Sequence, residues 1–83
     1  SPVVGLAWDS QSTIFAGLYN GKVLAIDRHR LMATDISPPA VQLIHDLIFD
    51  HNTGFLGLAG SKNALYKAGL WETGDLLLPE TEQ

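Results

Sequence analysis

The sequence has no cysteine in its 83 residues. That excludes disulfide staples and thiolate metal sites, and leaves three histidines and the carboxylates as possible metal ligands. It is also poor in charge: 17% of its residues are charged, where a globular chain carries about 25%. The five basic residues are outnumbered by nine acidic ones, for a net charge of −4. Arg28 and Arg30 are the only close basic pair, so the basic stripe used to bind nucleic acid is missing and nucleic acid is not an expected partner. No apolar run approaches the roughly 18 residues of a membrane-spanning helix, and the N-terminus lacks the basic, apolar and small-residue order of a secretory signal. The expectation is a soluble chain, cytoplasmic or nuclear, with no membrane partner.

What is present is apolar. Hydrophobic residues make up 46% of the chain, yet a chain this short buries only about 60% of its unfolded surface. A covered surface, and hence a protein partner, is the expected remedy.

The apolar residues fall in short segments parted by turn signals. Val3 to Asp9 reads VVGLAWD and is apolar on both faces, as a strand buried on both sides would be. After Ser10, Gln11 and Ser12 comes TIFAGLY, Thr13 to Tyr19. Asn20-Gly21 is a hairpin signal, since both residues tolerate the positive φ of a type I′ turn. KVLAID then returns as Lys22 to Asp27. LMATDI, Leu31 to Ile36, adds a fourth, edge strand before Ser37-Pro38-Pro39 breaks the chain.

The same order then recurs. Trp8-Asp9 aligns with Phe49-Asp50, 41 residues on. Phe15-Ala16-Gly17-Leu18 aligns with Phe55-Leu56-Gly57-Leu58, and Lys22 with Lys62, at a spacing of 40; Leu24 matches Leu65 at 41. In both copies an apolar strand, an Asp-containing turn, a Gly-centred strand, a Gly turn and a second apolar strand follow one another. A period near 40 with four strands per unit is that of a β-propeller. The reading is all-β: two four-stranded antiparallel blades, residues 1–37 and 38–79, and a tail at 80–83. Two blades do not close a ring, so the chain is expected to be a fragment of a larger ring or a subunit that assembles into one, with the remaining blades or copies of itself as partners.

The second copy resembles a degenerate WD-type repeat, with IHDLIFD as its inner strand, GFLGLAGS and NALYKA next, and LWETGDLLL outermost. The string TIFAGLYNGKVLAID, followed later by LLLPET, is similar to the C-terminal propeller of RING-finger and WD-repeat ubiquitin ligases. Such a likeness implies a protein-interaction scaffold. The Gly-His pair that opens a regular WD repeat is missing, and Ile26-Asp27 and Lys67-Ala68 stand where Trp-Asp is expected, so no functional residue of the family is carried across.

The mid-strand glycines have their own reading. Gly17 and Gly57 mark a close approach, to the neighbouring blade or to a packed aromatic such as Trp8 or Phe49. Asp9 and Asp50 are read as turn residues bonding their own backbone two residues on. His29, His45 and His51 have no metal-ligand spacing, and neither metal nor cofactor is expected. The candidate binding residues lie on loops and at an edge: Arg28, His29 and Arg30 as the one local concentration of positive charge, Asn20 and Lys62 on turns, and Trp71 on the outer strand. No catalytic residue is assigned.

A rival reading makes SPPAVQLIHDLIFDHNTG a helix, capped by Ser37 and ended by Gly54, with Val41, Ile44 and Leu47 or Ile48 on one face. It opens an enzyme alternative, in which STIFAGLYNGKVLAIDRHRLMA resembles the opening hairpin of a proteasome-type N-terminal-nucleophile hydrolase. Ser12 or Thr13 would be the nucleophile, with His45 where that family's lysine falls. A ribonuclease-H-type order is also conceivable, but Asp9 would be its only metal-binding carboxylate, since Gln42 and Gly60 fill the other places.

Overall fold

In the computed structural model, which describes residues 1–74, eight strands follow one another and no helix forms among the described residues. They are β1 Val3–Trp8, β2 Thr13–Leu18, β3 Val23–Asp27, β4 Met32–Asp35, β5 Ile44–Asp50, β6 Phe55–Gly60, β7 Ala64–Lys67 and β8 Leu70–Thr73. Two four-stranded sheets result, ordered β1-β2-β3-β4 and β5-β6-β7-β8, each an antiparallel meander. The chain is thus all-β, in two blade-like sheets. Of the expected outer strand LWETGDLLL, Leu70–Thr73 is seen as β8 and Gly74 follows it; residues 75–78 and the tail at 80–83 lie outside the described residues.

The helix of the rival reading, over Ser37 to Gly54, does not form, and the strand read for Ile44 to Asp50 does. Ile44 to Asp50 is a strand paired along its length with Phe55 to Gly60. Apolar residues spaced three and four apart serve a strand equally well when a bulge shifts its alternation, and β5 carries such a shift between Ile44 and Asp46.

β1 has the same irregularity, between Val3 and Gly5. The two bulges reorder the expected faces. Strict alternation would place Val4 with Leu6 and Trp8, but it packs on the core with Ala7, while Leu6 is 66% exposed on the opposite face. Strict alternation would place Ile44 opposite Leu47; across the bulge it joins Leu47 instead and is fully buried.

The sheets stack face to face. Phe15, Val23 and Ala25 of the first meet Leu47, Leu56, Leu58 and Tyr66 of the second, and Val41 of the linker closes one side. Phe15 stacks on Phe49 with ring centroids 6.2 Å apart and planes 12° from parallel. Each fully buried aliphatic chain here contributes about 1.5–3 kcal/mol. No polar side chain is buried among the described residues.

Strand pairing also corrects the repeat alignment. Trp8 pairs with Ile14 and Phe49 with Leu56, so Ile14 corresponds to Leu56 and Gly17 to Ala59; Phe15 corresponds to Gly57, and Leu24 to Ala64. The spacing is therefore 42 in the second strand and 40 in the third, where the strings suggested 40 and 41. The cause is local: the turn joining Phe49 to Leu56 is one residue longer than that joining Trp8 to Ile14.

Candidate functional site

The turns between strands gather at two ends. One end holds the turns after β1, β3, β5 and β7, and aspartates shape three of them. Asp9 Oδ1 accepts from the amides of Gln11, Ser12 and Thr13 at 2.8, 3.0 and 3.0 Å. Asp27 Oδ1 accepts from His29 and Arg30, and Asp50 Oδ1 from Asn52 at 2.9 Å. The turn role read for Asp9 and Asp50 is what the geometry shows. These bonds favour the ionised form. Partial burial alone would raise the Asp9 carboxyl, but the amides of Thr13, Gln11 and Ser12 outweigh it and hold it below its usual value. The Asp27 carboxyl is lowered by the amides of Arg30 and His29, and that of Asp50 by the amide of Asn52.

Arg28, His29 and Arg30 stand together on the β3–β4 turn, with their side chains committed differently. The Arg30 guanidinium reaches Asp27 at 3.4 Å. Arg28 turns over the outer face of the first sheet, its guanidinium carbon 5.5 Å from the centre of the Trp8 ring, while its amide donates to the Ser12 carbonyl at 2.8 Å. Leu31, next in the turn, is 82% exposed and held at a φ of 55°. The β5–β6 turn is built in the same way, with Gly54 at the positive-φ place and its amide donating to the Asp50 carbonyl as that of Leu31 does to Asp27.

Asn20 and Lys62 lie at the other end, on the β2–β3 and β6–β7 turns, and so do not join the arginines. Asn20 is a turn residue: its amide donates to Ser1 Oγ, and its Oδ1 accepts from the Lys22 amide at 3.3 Å. The expected type I′ turn is not made there. Gly21 has a φ of 96° but Asn20 has no positive φ, and Leu18 both accepts from Gly21 and donates to Lys22. This is a three-residue loop, a type I turn closed by a glycine bulge. Type I′ geometry occurs instead at Ala68-Gly69, where φ is 50° and 85° and the flanking Lys67 and Leu70 pair.

Trp71 is at neither end. It lies half-buried between the sheets, its indole N–H donating to the Ile36 carbonyl and its ring 4.9 Å from that of Tyr66. It thereby ties β8 to the linker that follows β4. Ser12 and Thr13 sit at the arginine end, and His45 sits in the β5 bulge at the other end of that strand. The hydrolase alternative therefore lacks its helix, and His45, in the place of that family's lysine, stands at the opposite end from Ser12 and Thr13. No group of three or more metal-ligating side chains comes together among the described residues.

One feature escaped the sequence reading. Leu6, Ala7, Trp8, Ile14 and Arg28 line an open depression of about 480 Å³ on the outer face of the first sheet. Its signal was present in the alternation of Leu6 and Trp8, but the strands appeared apolar on both faces and the alternation did not stand out.

No protein-family model matches the chain, and no curated protein matches it in sequence. No helix of the described residues is long and apolar enough to cross a membrane.

Proposed function

We propose that the chain forms two consecutive blades of a WD-like β-propeller and serves as a protein-interaction scaffold, contributing surface to a partner and no catalytic group. One observation carries this reading. By strand register, Leu6, Trp8, Ile14 and Ala16 of the first sheet correspond to Leu47, Phe49, Leu56 and Leu58 of the second. The second set is the face that the first sheet covers. The first set is the same face one blade earlier, and no sheet covers it among the described residues: Leu6 is exposed and Trp8 and Ile14 are half-buried, while the small Ala16 is buried. Successive sheets that present equivalent faces in the same sense are what a ring of blades requires.

Large exposed apolar patches on soluble chains mark interaction sites. The isolated chain should therefore bind an apolar-surface dye such as ANS, and Leu6→Lys should remove most of that binding without changing the fold. A wild-type chain that bound no dye and sedimented as a 9.0 kDa monomer at micromolar concentration would show its faces already covered, and the two-blade reading would fall.

A further inference from the structure

The two outer faces are not alike. Gly5 and Gly17 of the first sheet correspond to Asp46 and Ala59 of the second. The two glycines let β5 come close: a Cβ on Gly5 would stand 2.8 Å from the Leu47 amide nitrogen, and one on Gly17 would stand 3.1 Å from the Leu47 side chain. With Asp46 in place of Gly5, the second sheet cannot receive another inner strand at that distance. Its outer face also carries the Lys67–Glu72 ion pair at 3.0 Å, with Lys67 Nζ 5.3 Å from the centre of the Phe55 ring. Covering this face with an apolar sheet would strip water from Asp46, Lys67 and Glu72, and the attraction between paired charges seldom repays that loss.

The outer face of the first sheet differs at its inner strand, β1, which carries no charge where the outer face of the second has Asp46. Leu6, Trp8, Ile14, Leu24 and Ile26 share this face by register, and its own ion pair, Lys22–Asp35 at 3.6 Å, lies toward the β4 edge, where Asp35 pairs with Leu24. At its rim Arg28 lies over Trp8 and, among the described residues, enters no ion pair.

We infer that this face seats a further blade of unlike sequence from the same ring, and not a second copy of this chain. The contact between the two sheets is its template. The seated blade places glycine against Leu6, as Gly5 lies against Leu47, and a flat side chain over Trp8, as Phe15 lies over Phe49. It brings a carboxylate to Arg28, where a cation at the edge of an apolar patch sets register and excludes wrong partners. This inference rests on the two-blade reading and adds the identity of the neighbour.

The probe is a copy of the chain with its second outer face rebuilt on the pattern of the first sheet's covering face: Asp46→Gly, Gly57→Phe, Ala59→Gly, Lys67→Asp and Glu72→Thr, after Gly5, Phe15, Gly17, Asp27 and Thr34. Its folding is checked by near-ultraviolet circular dichroism. Mixed with the wild type in sedimentation, it should bind at least tenfold more tightly than the wild type binds itself. Leu6→Lys in the wild-type partner should abolish the gain, and Arg28→Glu should weaken it. A discrete closed oligomer of wild-type chains, dissolved by Leu6→Lys and by Ile48→Lys alike, would overturn this inference and leave the two-blade reading standing. So would a folded probe with no gain in affinity. A clean wild-type monomer that binds no dye would overturn both.

Discussion

Gly17 lies against Leu47: a Cβ added to the glycine would meet Cγ and Cδ1 of the leucine at 3.1 Å, and Ile44 Cγ2 at 3.3 Å. The inner strand of the second sheet thus rests on bare backbone of the first. Glycine in a strand costs about 0.5–1 kcal/mol relative to alanine, while overpacking a core costs about 1–3 kcal/mol. The atoms in the way belong to side chains, which yield by a few tenths of an ångström, so Gly17→Ala should change stability by less than about 1 kcal/mol. Gly17→Val should cost about 2 kcal/mol or more, read from urea unfolding. An equal response to both substitutions would show that the sheets are not in contact here.

At the β2–β3 turn only one of the two turn residues needs glycine. Gly21 combines a φ of 96° with a Cβ direction that points into the Val41 carbonyl, and a β-branched residue is strongly disfavoured at positive φ. Gly21→Val should therefore lower the melting temperature by 10 °C or more, on the scale of roughly 4–8 °C per kcal/mol for a domain of this size. Asn20→Ala loses only the local bond to the Lys22 amide and should cost under about 1 kcal/mol. Comparable losses at both positions would restore the type I′ geometry that the Asn-Gly pair suggested.

Three residues other than glycine hold the left-handed conformation in hairpin turns, Ser10 at 70°, Leu31 at 55° and Ala68 at 50°. That conformation costs an L-residue about 1–2 kcal/mol, least for asparagine. Ala68→Asn, which creates the preferred Asn-Gly pair in the one type I′ turn identified here, should stabilise the chain by about 0.5–1 kcal/mol. Leu31→Gly should do the same, because the leucine side chain is exposed and little packing is lost. Thermal melts of the two variants test this; a loss of stability in Leu31→Gly would mean that the leucine is packed against something.

The element order was legible because it depends on short-range chemistry. Apolar runs of four to seven residues, parted by Asp, Asn-Gly and Pro-Pro signals, define strands and turns without knowledge of the partner strand. The faces were less legible, because one bulged residue in β1 and one in β5 reverse the alternation on one side of each bulge. The bulges lie where β1 and β5 come close, Gly5 against the Leu47 amide, and that approach is a tertiary fact. The turn types were missed for a similar reason: Asn20-Gly21 has the composition for type I′, but the register set by Gly17 and Val23 leaves three residues to close, not two. Among the candidate residues, the Arg28 to Arg30 cluster was visible as adjacent letters. The pairing of Arg28 with Trp8 joins two strands and was not.

The turn aspartates make stability depend on acid in a definite direction. Asp9, Asp27, Asp35 and Asp50 all have carboxyls held below their usual value. For Asp35 the main cause is the Ser37 hydroxyl, followed by the Ser37 amide. A carboxyl whose folded pKa lies below its unfolded one binds fewer protons when folded. Its stabilisation is therefore complete above the unfolded value, about 3.9 for aspartate, and is lost as pH falls through the folded value. Asp9 offers the cleanest test, since three backbone amides converge on one oxygen. Asp9→Asn keeps an acceptor oxygen there and removes the charge. It should melt below the wild type at pH 7, and the gap should narrow as pH falls below about 3.9 and the wild-type carboxyl takes up its proton. Taking the difference between the two chains cancels every other titrating group common to both. A gap that stays constant across that range would mean that the charge on Asp9 does no more for the turn than a neutral oxygen would.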